Sequence, residues 1–247
     1  LVGLPMAYFL ACKKFFGTFS ILYFCSKIVD MTKEEIEHEI RLVRRQLVRS
    51  MNGVVAHRMS QSGIIYKKNY GVDLPRLSKI ATTLPHDIQL AKALWQLSIR
   101  ETMLLALMIC PIENFEVNEF RNWIKQIPTY EIAELASQKL FARLPFAIEE
   151  ALLLVNGEEF EPICAFLIAS KKLMEISDDV AILFKNKALE LLEHQNLFPA
   201  ILMFFRCFVQ QKRELCNDLL AQIESVKGSL PRVTLLYEEV KTQLDFS

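Results

Sequence analysis

Glycine is scarce in this chain of 247 residues, with seven in all, which disfavours hairpin-rich β folds that need glycine at their turns. Net charge is missing too: 29 Lys and Arg balance 29 Asp and Glu, so bulk charge selects no class of partner. The six cysteines, Cys12, Cys25, Cys110, Cys164, Cys207 and Cys216, include no C-x-x-C pair, and most sit among apolar residues. That pattern fits buried free thiols in a reducing, cytoplasmic setting. His38, His57, His86 and His194 are scattered away from any cysteine pair, so no metal and no other cofactor is expected. Neither G-x-S-x-G nor G-x-x-x-x-G-K-[ST] occurs, which argues against a triad hydrolase and a P-loop enzyme.

Residues 1–30 hold two apolar runs split by Lys13-Lys14, each shorter than the roughly 20 residues a membrane helix needs. No basic start or small-residue cleavage site marks a secretory signal. We read 1–30 as upstream sequence outside the fold, with a membrane-associating or partner-binding leader as the alternative. Met31 followed by Thr32, Glu34 and Glu35 makes a natural helix start, because the hydroxyl caps and the acids complement the positive N-terminal end.

What the sequence does contain is helical patterning from end to end. Ile36, Ile40, Val43 and Leu47 recur at helical spacing over 33–49, and Asn52-Gly53 follows as a break. A short helix is expected near 54–62, a loop over 66–73, and a helix opened by Leu74-Pro75. The next helix spans 86–97. Ser98-Ile99-Arg100-Glu101 has capping-box spacing ahead of a very apolar helix over 102–110 that Pro111 stops. Val117, Phe120, Trp123, Ile124 and Ile127 form a further stripe, and Pro128-Thr129 ends it and caps a helix over 130–144. Pro145, Asn156-Gly157, Ser177, Pro199, Gly228 and Pro231 punctuate helices near 146–155, 161–175, 178–194, 199–210, 212–226 and 232–244. Helix pairs recurring at roughly 30–45 residues predict an all-α protein built as a curved stack of helix pairs, with an irregular bundle as the alternative. No long polar linker interrupts 31–247, so we read it as one domain without a membrane span and as a monomer.

Charge is balanced overall but not locally. Arg41, Arg44, Arg45, Arg49, Arg58, Lys67, Lys68, Arg76 and Lys79 face a single acid, Asp73, within 41–80, leaving that span at +8 and the remainder at −8. Arg41, Arg45 and Arg49 share one helix face. Such a segment can neutralise phosphates and release counterions, can bind an acidic protein, or can simply keep an apolar array in solution.

Three stretches resemble the AlkD-like DNA alkylation repair proteins. The first is Met51-Asn52-Gly53 with the run from Gly63-Ile64-Ile65-Tyr66 through Gly71-Val72-Asp73-Leu74-Pro75 to Ile80-Ala81. The second is Leu90-Ala91-Lys92-Ala93-Leu94-Trp95 with Ile99-Arg100-Glu101 and Leu104-Leu105-Ala106-Leu107, and the third is Trp123-Ile124 with Glu131-Ile132-Ala133-Glu134. The resemblance covers about 31–175. It implies a superhelix of HEAT-like helix pairs whose concave face holds duplex DNA, and an activity that excises N3- and N7-alkylated purines by breaking the N-glycosidic bond. An aspartate flanked by tryptophans stabilises the sugar cation in such enzymes. Here the corresponding run is Thr129-Tyr130-Glu131-Ile132-Ala133-Glu134, so Glu134 takes the place of the catalytic aspartate and Tyr130 that of one tryptophan, with Glu131 beside them. A glutamate can stabilise such a cation electrostatically, although a carboxylate displaced by about 1 Å can lose about 100-fold in rate. The same two acids also suit the first turn of a helix. No tryptophan lies downstream; the two in the chain, Trp95 and Trp123, sit on apolar stripes and read as core or as stacking platforms. The alternative to a repair glycosylase is a non-catalytic helical-repeat scaffold that binds nucleic acid or a protein.

Overall fold

Thirteen α-helices and no strand make up the described residues, 31–226 and 230–246, of the computed structural model. The readings of 1–30, with Cys12 and Cys25, and the break at Gly228 lie outside these residues. The helices are α1 Lys33–Arg49, α2 Gly53–Gln61, α3 Leu74–Ala81, α4 Ile88–Gln96, α5 Arg100–Ile109, α6 Val117–Lys125 and α7 Tyr130–Lys139. They continue as α8 Ala147–Leu154, α9 Glu161–Lys172, α10 Asp178–Glu190, α11 Phe198–Gln211, α12 Leu219–Val226 and α13 Pro231–Phe246.

Local chemistry accounts for many of the boundaries. Thr32 and Glu35 form a reciprocal capping box at α1, Thr32 Oγ1 accepting from the Glu35 amide at 3.3 Å and Glu35 Oε2 from the Thr32 amide at 2.8 Å. Asp73, Asp87, Thr129 and Ser177 cap α3, α4, α7 and α10, each side chain occupying one of the free amides of a first turn.

Several boundaries differ from the sequence expectation: the helix expected over 212–226 starts only at Leu219, after a 3₁₀ turn at Arg213–Leu215, and that expected over 178–194 ends at Glu190. The capping box at Ser98 does not form: Ile99 precedes α5 without a side-chain cap, Ser98 takes a left-handed φ of 53°, and Glu101 turns inward. The helix expected over 130–144 stops at Lys139, and a 3₁₀ turn, Phe141–Arg143, carries the chain to Pro145.

The helices form two layers. In one, α3, α5, α7, α9, α11 and α13 pack each against the next. In the other, α4 packs on α5, α8 on α9, α10 on both α9 and α11, and α12 on α10 and α13, while α1 lies against α4. Helices α5 and α9 are buried along almost their whole length because neighbours flank them within the layer and cover them from the other.

One apolar cluster runs from Val43 to Val240. Trp95 and Trp123 stack face to face within it, centroids 4.1 Å apart and rings 4° from parallel, both almost fully buried. They are core residues rather than stacking platforms, and Trp95 Nε1 donates to Gln126 Oε1 at 2.9 Å, satisfying the one polar atom of the ring. Burying a side chain of this class contributes roughly 1.5–3 kcal/mol, so the aromatic clusters Phe120 with Phe141 and Phe166 with Phe184 and Phe204 are principal contributors to stability. Cys110, Cys164 and Cys216 are buried free thiols and Cys207 a half-buried one; burial pushes Cys110 and Cys164 up to about 12. No described helix is long and apolar enough to cross a membrane.

Candidate functional site

The cationic segment starts inside α1. Glu34, Glu35, Glu37 and Glu39 occupy its first half and Arg41, Arg44, Arg45 and Arg49 its second, an arrangement that complements the helix dipole at both ends. All four arginines are exposed. Arg41 approaches Glu37 at 4.0 Å, an exposed pair of little energetic weight. Arg58 on α2, Lys67 and Lys68 in the following loop, and Arg76 and Lys79 on α3 are exposed as well. None of these nine cations other than Arg41 forms an ion pair among the described residues.

Specific interactions fasten the elements that carry these cations to one another. Arg76 Nε donates to Ser50 Oγ at 3.2 Å, joining the start of α3 to the end of α1. The Asn52 amide donates to the Tyr70 carbonyl at 2.9 Å, joining the loop to the start of α2. Gly71, at a left-handed φ of 71°, passes so close to α2 that a Cβ would sit 2.1 Å from the Asn52 carbonyl oxygen. Only glycine allows both that φ and that approach. Lys68 Nζ lies 4.8 Å from the centre of the Tyr70 ring, a cation–π interaction that steadies its charge without an anionic partner.

Beneath this surface sits a charged clamp. Glu101, fully buried, accepts from the Tyr70 amide at 3.0 Å, from the Val72 amide at 3.2 Å and from Arg100 Nη1 at 3.1 Å. Arg100, 5% exposed, also donates to the Val72 carbonyl at 2.8 Å and takes Glu131 in a two-pronged grip, Nε to Oε2 at 2.8 Å and Nη2 to Oε1 at 2.6 Å. Tyr66 Oη donates to Glu131 Oε2 and accepts from Thr129 Oγ1 at 2.8 Å. The clamp thus links loop 66–72, the first turn of α5 and the first turn of α7.

The electrostatics follow from this geometry. Burial pushes the Glu131 carboxyl up, but hydrogen bonds from Arg100 and Tyr66, with the Arg100 charge, outweigh it and hold the group below the usual carboxylate range. Burial opposes the Arg100 charge, yet the Glu131 bonds and the two nearby carboxylates raise its proton affinity further. Burial, then donation to Glu131, holds the Tyr66 phenol well above its ordinary value. Glu131 is therefore an ionised partner of Arg100 at neutral pH.

The three residues of the run that resembles a catalytic one separate by role. Glu131 faces the clamp. Glu134, half-buried one turn on, accepts from Gln138 Nε2 at 3.1 Å. Tyr130, also half-buried, is pushed up to about 12 by burial and then by the Glu134 charge. Glu134 and Tyr130 thus share a neighbourhood separate from the clamp. Among the described residues no cluster of three or more His, Cys, Asp or Glu could hold a metal.

Sequence reasoning missed Tyr66, Arg100, Glu101 and Thr129 as a connected set. The available signal was two adjacent opposite charges opening an otherwise apolar helix, a pattern that burial tolerates only with pairing.

Residues 43–157 match the family described as DNA alkylation repair enzyme, a span that runs from the middle of α1 to just past α8. A solved structure of a protein from a family related to the HEAT-like repeat DNA glycosylases, with affinity for branched DNA structures, superposes with a TM-score of 0.67 at 14% identity, covering 84% of this chain and 96% of that one. At that identity the likeness speaks for the fold: a superhelical array of HEAT-like helix pairs. No curated protein matches the sequence.

Proposed function

We propose that the chain, whose residues 43–157 match the DNA alkylation repair family, binds DNA with the cationic surface of α1, α2, loop 66–72 and α3, laid along the concave face of the superhelix. The observation that carries this reading is the set of nine exposed cations, all but Arg41 without an ion pair among the described residues, on elements locked together by Ser50–Arg76, Asn52–Tyr70 and the Gly71 approach. Exposed unpaired cations gain affinity by displacing condensed counterions, without reading sequence. The reading treats the protein as a monomer and needs no cofactor.

Binding rather than excision is the activity these residues support best. Trp95 and Trp123 stack on each other inside the core, and Glu131 is neutralised by Arg100. Glu134, half-buried beside Tyr130, is the one carboxylate of the run 129–134 left for a lesion-excising reading.

Fluorescence anisotropy of labelled duplex and branched DNA between 50 and 200 mM salt tests the proposal. Neutralising about six phosphates should cost about a thousandfold in affinity across that range. Arg44→Gln with Arg45→Gln and Arg49→Gln should shallow the salt slope by about one for each phosphate left without its arginine. A flat salt response in the unmodified protein would refute phosphate-driven binding. The same samples, incubated with methylated duplex, should release no 7-methylguanine; release that Glu134→Gln abolishes would assign an excision centre to Glu134.

A further inference from the structure

Helices α8 and α10 both pack on α9 and leave a cleft between them. Their first turns share a cavity of about 270 Å³, lined by Ile148 and Val180 among others. Their far ends share a second cavity of about 570 Å³, whose walls include Val155, Lys187 and Leu191. On α10, Leu183 falls one turn from both Val180 and Lys187 and is 47% exposed, so it continues the apolar strip from one cavity toward the other.

The cleft has an acidic rim. Residues 147–197 hold ten Asp and Glu against four Lys, a net of −6. Glu149, Glu158, Glu159, Asp179 and Glu193 are exposed and form no ion pair among the described residues. Glu159 lines the larger cavity, and each of the others adjoins Glu159 or a lining residue in sequence. Such a rim repels phosphates and anionic lipid alike, so the occupant that suits the cleft is cationic and partly apolar.

This chain itself carries a surface of that kind. Helix α2 is nine residues long and none of them is buried. A helix that short is marginal in water unless something packs on it. Val54 on α2 is 63% exposed, and Arg58 follows it by four residues on the same side. Val48, 55% exposed at the end of α1, stands one turn after Arg44 and Arg45. The span 41–80 carries +8 against the −6 of residues 147–197. Helix α2 is about 13 Å long, and the strip on α10 from Val180 to Leu191 about 16 Å. Asn52 and Gly71 fasten α2 to loop 66–72 of its own copy, so the cleft it would fill belongs to another copy.

We infer that α2 and the end of α1 of one copy dock in the α8–α10 cleft of a second copy. The contact joins unlike surfaces, so copies either close as a two-fold pair that makes it twice or add on head to tail. It does not rest on the DNA-binding reading, but it uses the same cations. DNA and a second copy therefore exclude each other, and the DNA-bound form stays a monomer.

Sedimentation velocity of the full chain over a concentration series, at low and at high salt, tests this. The unmodified protein should associate at low salt and return to monomer as salt rises. Glu158→Lys with Glu159→Lys, and separately Arg45→Glu with Arg58→Glu, should each weaken self-association by at least about tenfold, because like charges then face each other. Leu183→Ser should weaken it without altering the charge. An equimolar mixture of the two charge-reversed proteins keeps one intact cleft and one intact cationic surface, so it should form a one-to-one pair and grow no further. That pairing also shows that both variants are folded. A protein that stays monomeric at low salt at every concentration overturns the inference. So does association that survives in both reversed variants, or a mixture that stays monomeric. Excess duplex DNA should dissolve the association; a duplex that does not bind at all would refute the DNA-binding reading and leave this contact standing.

Discussion

Changing Glu101 to glutamine preserves the shape of the side chain and removes one acceptor and one charge. Both carboxylate oxygens are in use: Oε2 receives the Tyr70 amide, and Oε1 receives the Val72 amide and Arg100 Nη1. Either orientation of the new amide therefore points an NH2 group at an N–H donor. The site is fully buried, so no water can substitute. A hydrogen bond to a charged group contributes about 1.5–3 kcal/mol, and a stranded buried donor costs about 1–3 kcal/mol. Glu101→Gln should then destabilise the protein by about 3 kcal/mol, a fall in Tm of roughly 6–12 °C for a chain of this size. Glu131→Gln removes a comparable set of bonds, but the Glu131 side chain is 21% exposed, so solvent can take up part of the loss and about 1 kcal/mol is expected. Urea titrations followed by the fluorescence of the buried Trp95–Trp123 pair measure both. Hydrogen exchange gives a local readout, since the Tyr70 and Val72 amides should lose protection before the amides of α9. A Glu101→Gln protein within about 0.5 kcal/mol of the unmodified one would refute the clamp as a stabilising device, as would a Glu131→Gln protein that is the less stable of the two.

Acid should weaken the clamp through Glu131. Its carboxyl lies lower in the folded state than the unfolded value of about 4.3, so its contribution is complete above that value and is lost as pH falls through the folded one. Melting temperatures from pH 6 to 2.5 should therefore drop less steeply in Glu131→Gln than in the unmodified protein, and parallel acid limbs would contradict the assignment. Gly63 and Gly71 both have left-handed φ, 81° and 71°, but a Cβ on Gly63 meets nothing within 4 Å whereas one on Gly71 meets the backbone of Asn52 and Ala56 at 2.1 and 2.8 Å. Gly63→Ala should cost about 1 kcal/mol, as a left-handed conformation alone does, and Gly71→Ala at least about 3 kcal/mol, because neither backbone atom can rotate away. Equal thermal shifts for the two would show that φ, not the close approach, governs both.

The helices were legible because their signals are local. Thr32, Thr129 and Ser177 cap where their side chains predict, and the apolar stripes of α1 and α6 bury residues that their spacing selects. Tertiary partners defeat such signals. The string from Ser98 to Glu101 has the spacing of a capping box, yet the Glu101 carboxylate meets amides some thirty residues away that bind it more tightly than one local amide would. Glu131 reads from sequence as a first-turn acid or as part of a catalytic run, and the decisive fact, the guanidinium of Arg100, is invisible to spacing. The exposure of the nine cations was legible from their surroundings. That the elements carrying them are fastened together depends on a serine hydroxyl at position 50 and on the missing Cβ of Gly71, neither of which periodicity encodes.

The way the cationic surface is anchored bears on why this chain departs from the excision pattern that the family resemblance implies. Helix α2 buries no side chain, so apolar packing does not hold it; the loop beside it is held by Glu101, and Glu101 sits in the interior only because Arg100 is there to balance its charge. Arg100 in turn carries two carboxylates, and the second is Glu131, on the first turn of α7, three residues before Glu134, which takes the place of the catalytic aspartate in the resemblance. Removing the Glu131 charge to free that position would leave the Arg100 guanidinium with Glu101 as its one carboxylate and loosen the clamp. Ionising Glu131 for catalysis while leaving it on Arg100 would offer little field to a sugar cation, because the neighbouring positive charge cancels it. Holding the loop and stabilising a cation at Glu131 are thus opposing demands on one residue. In this chain the short two-pronged grip of Arg100 ties Glu131 to the loop, which leaves Glu134, one turn further along, as the carboxylate that the Glu134→Gln comparison tests.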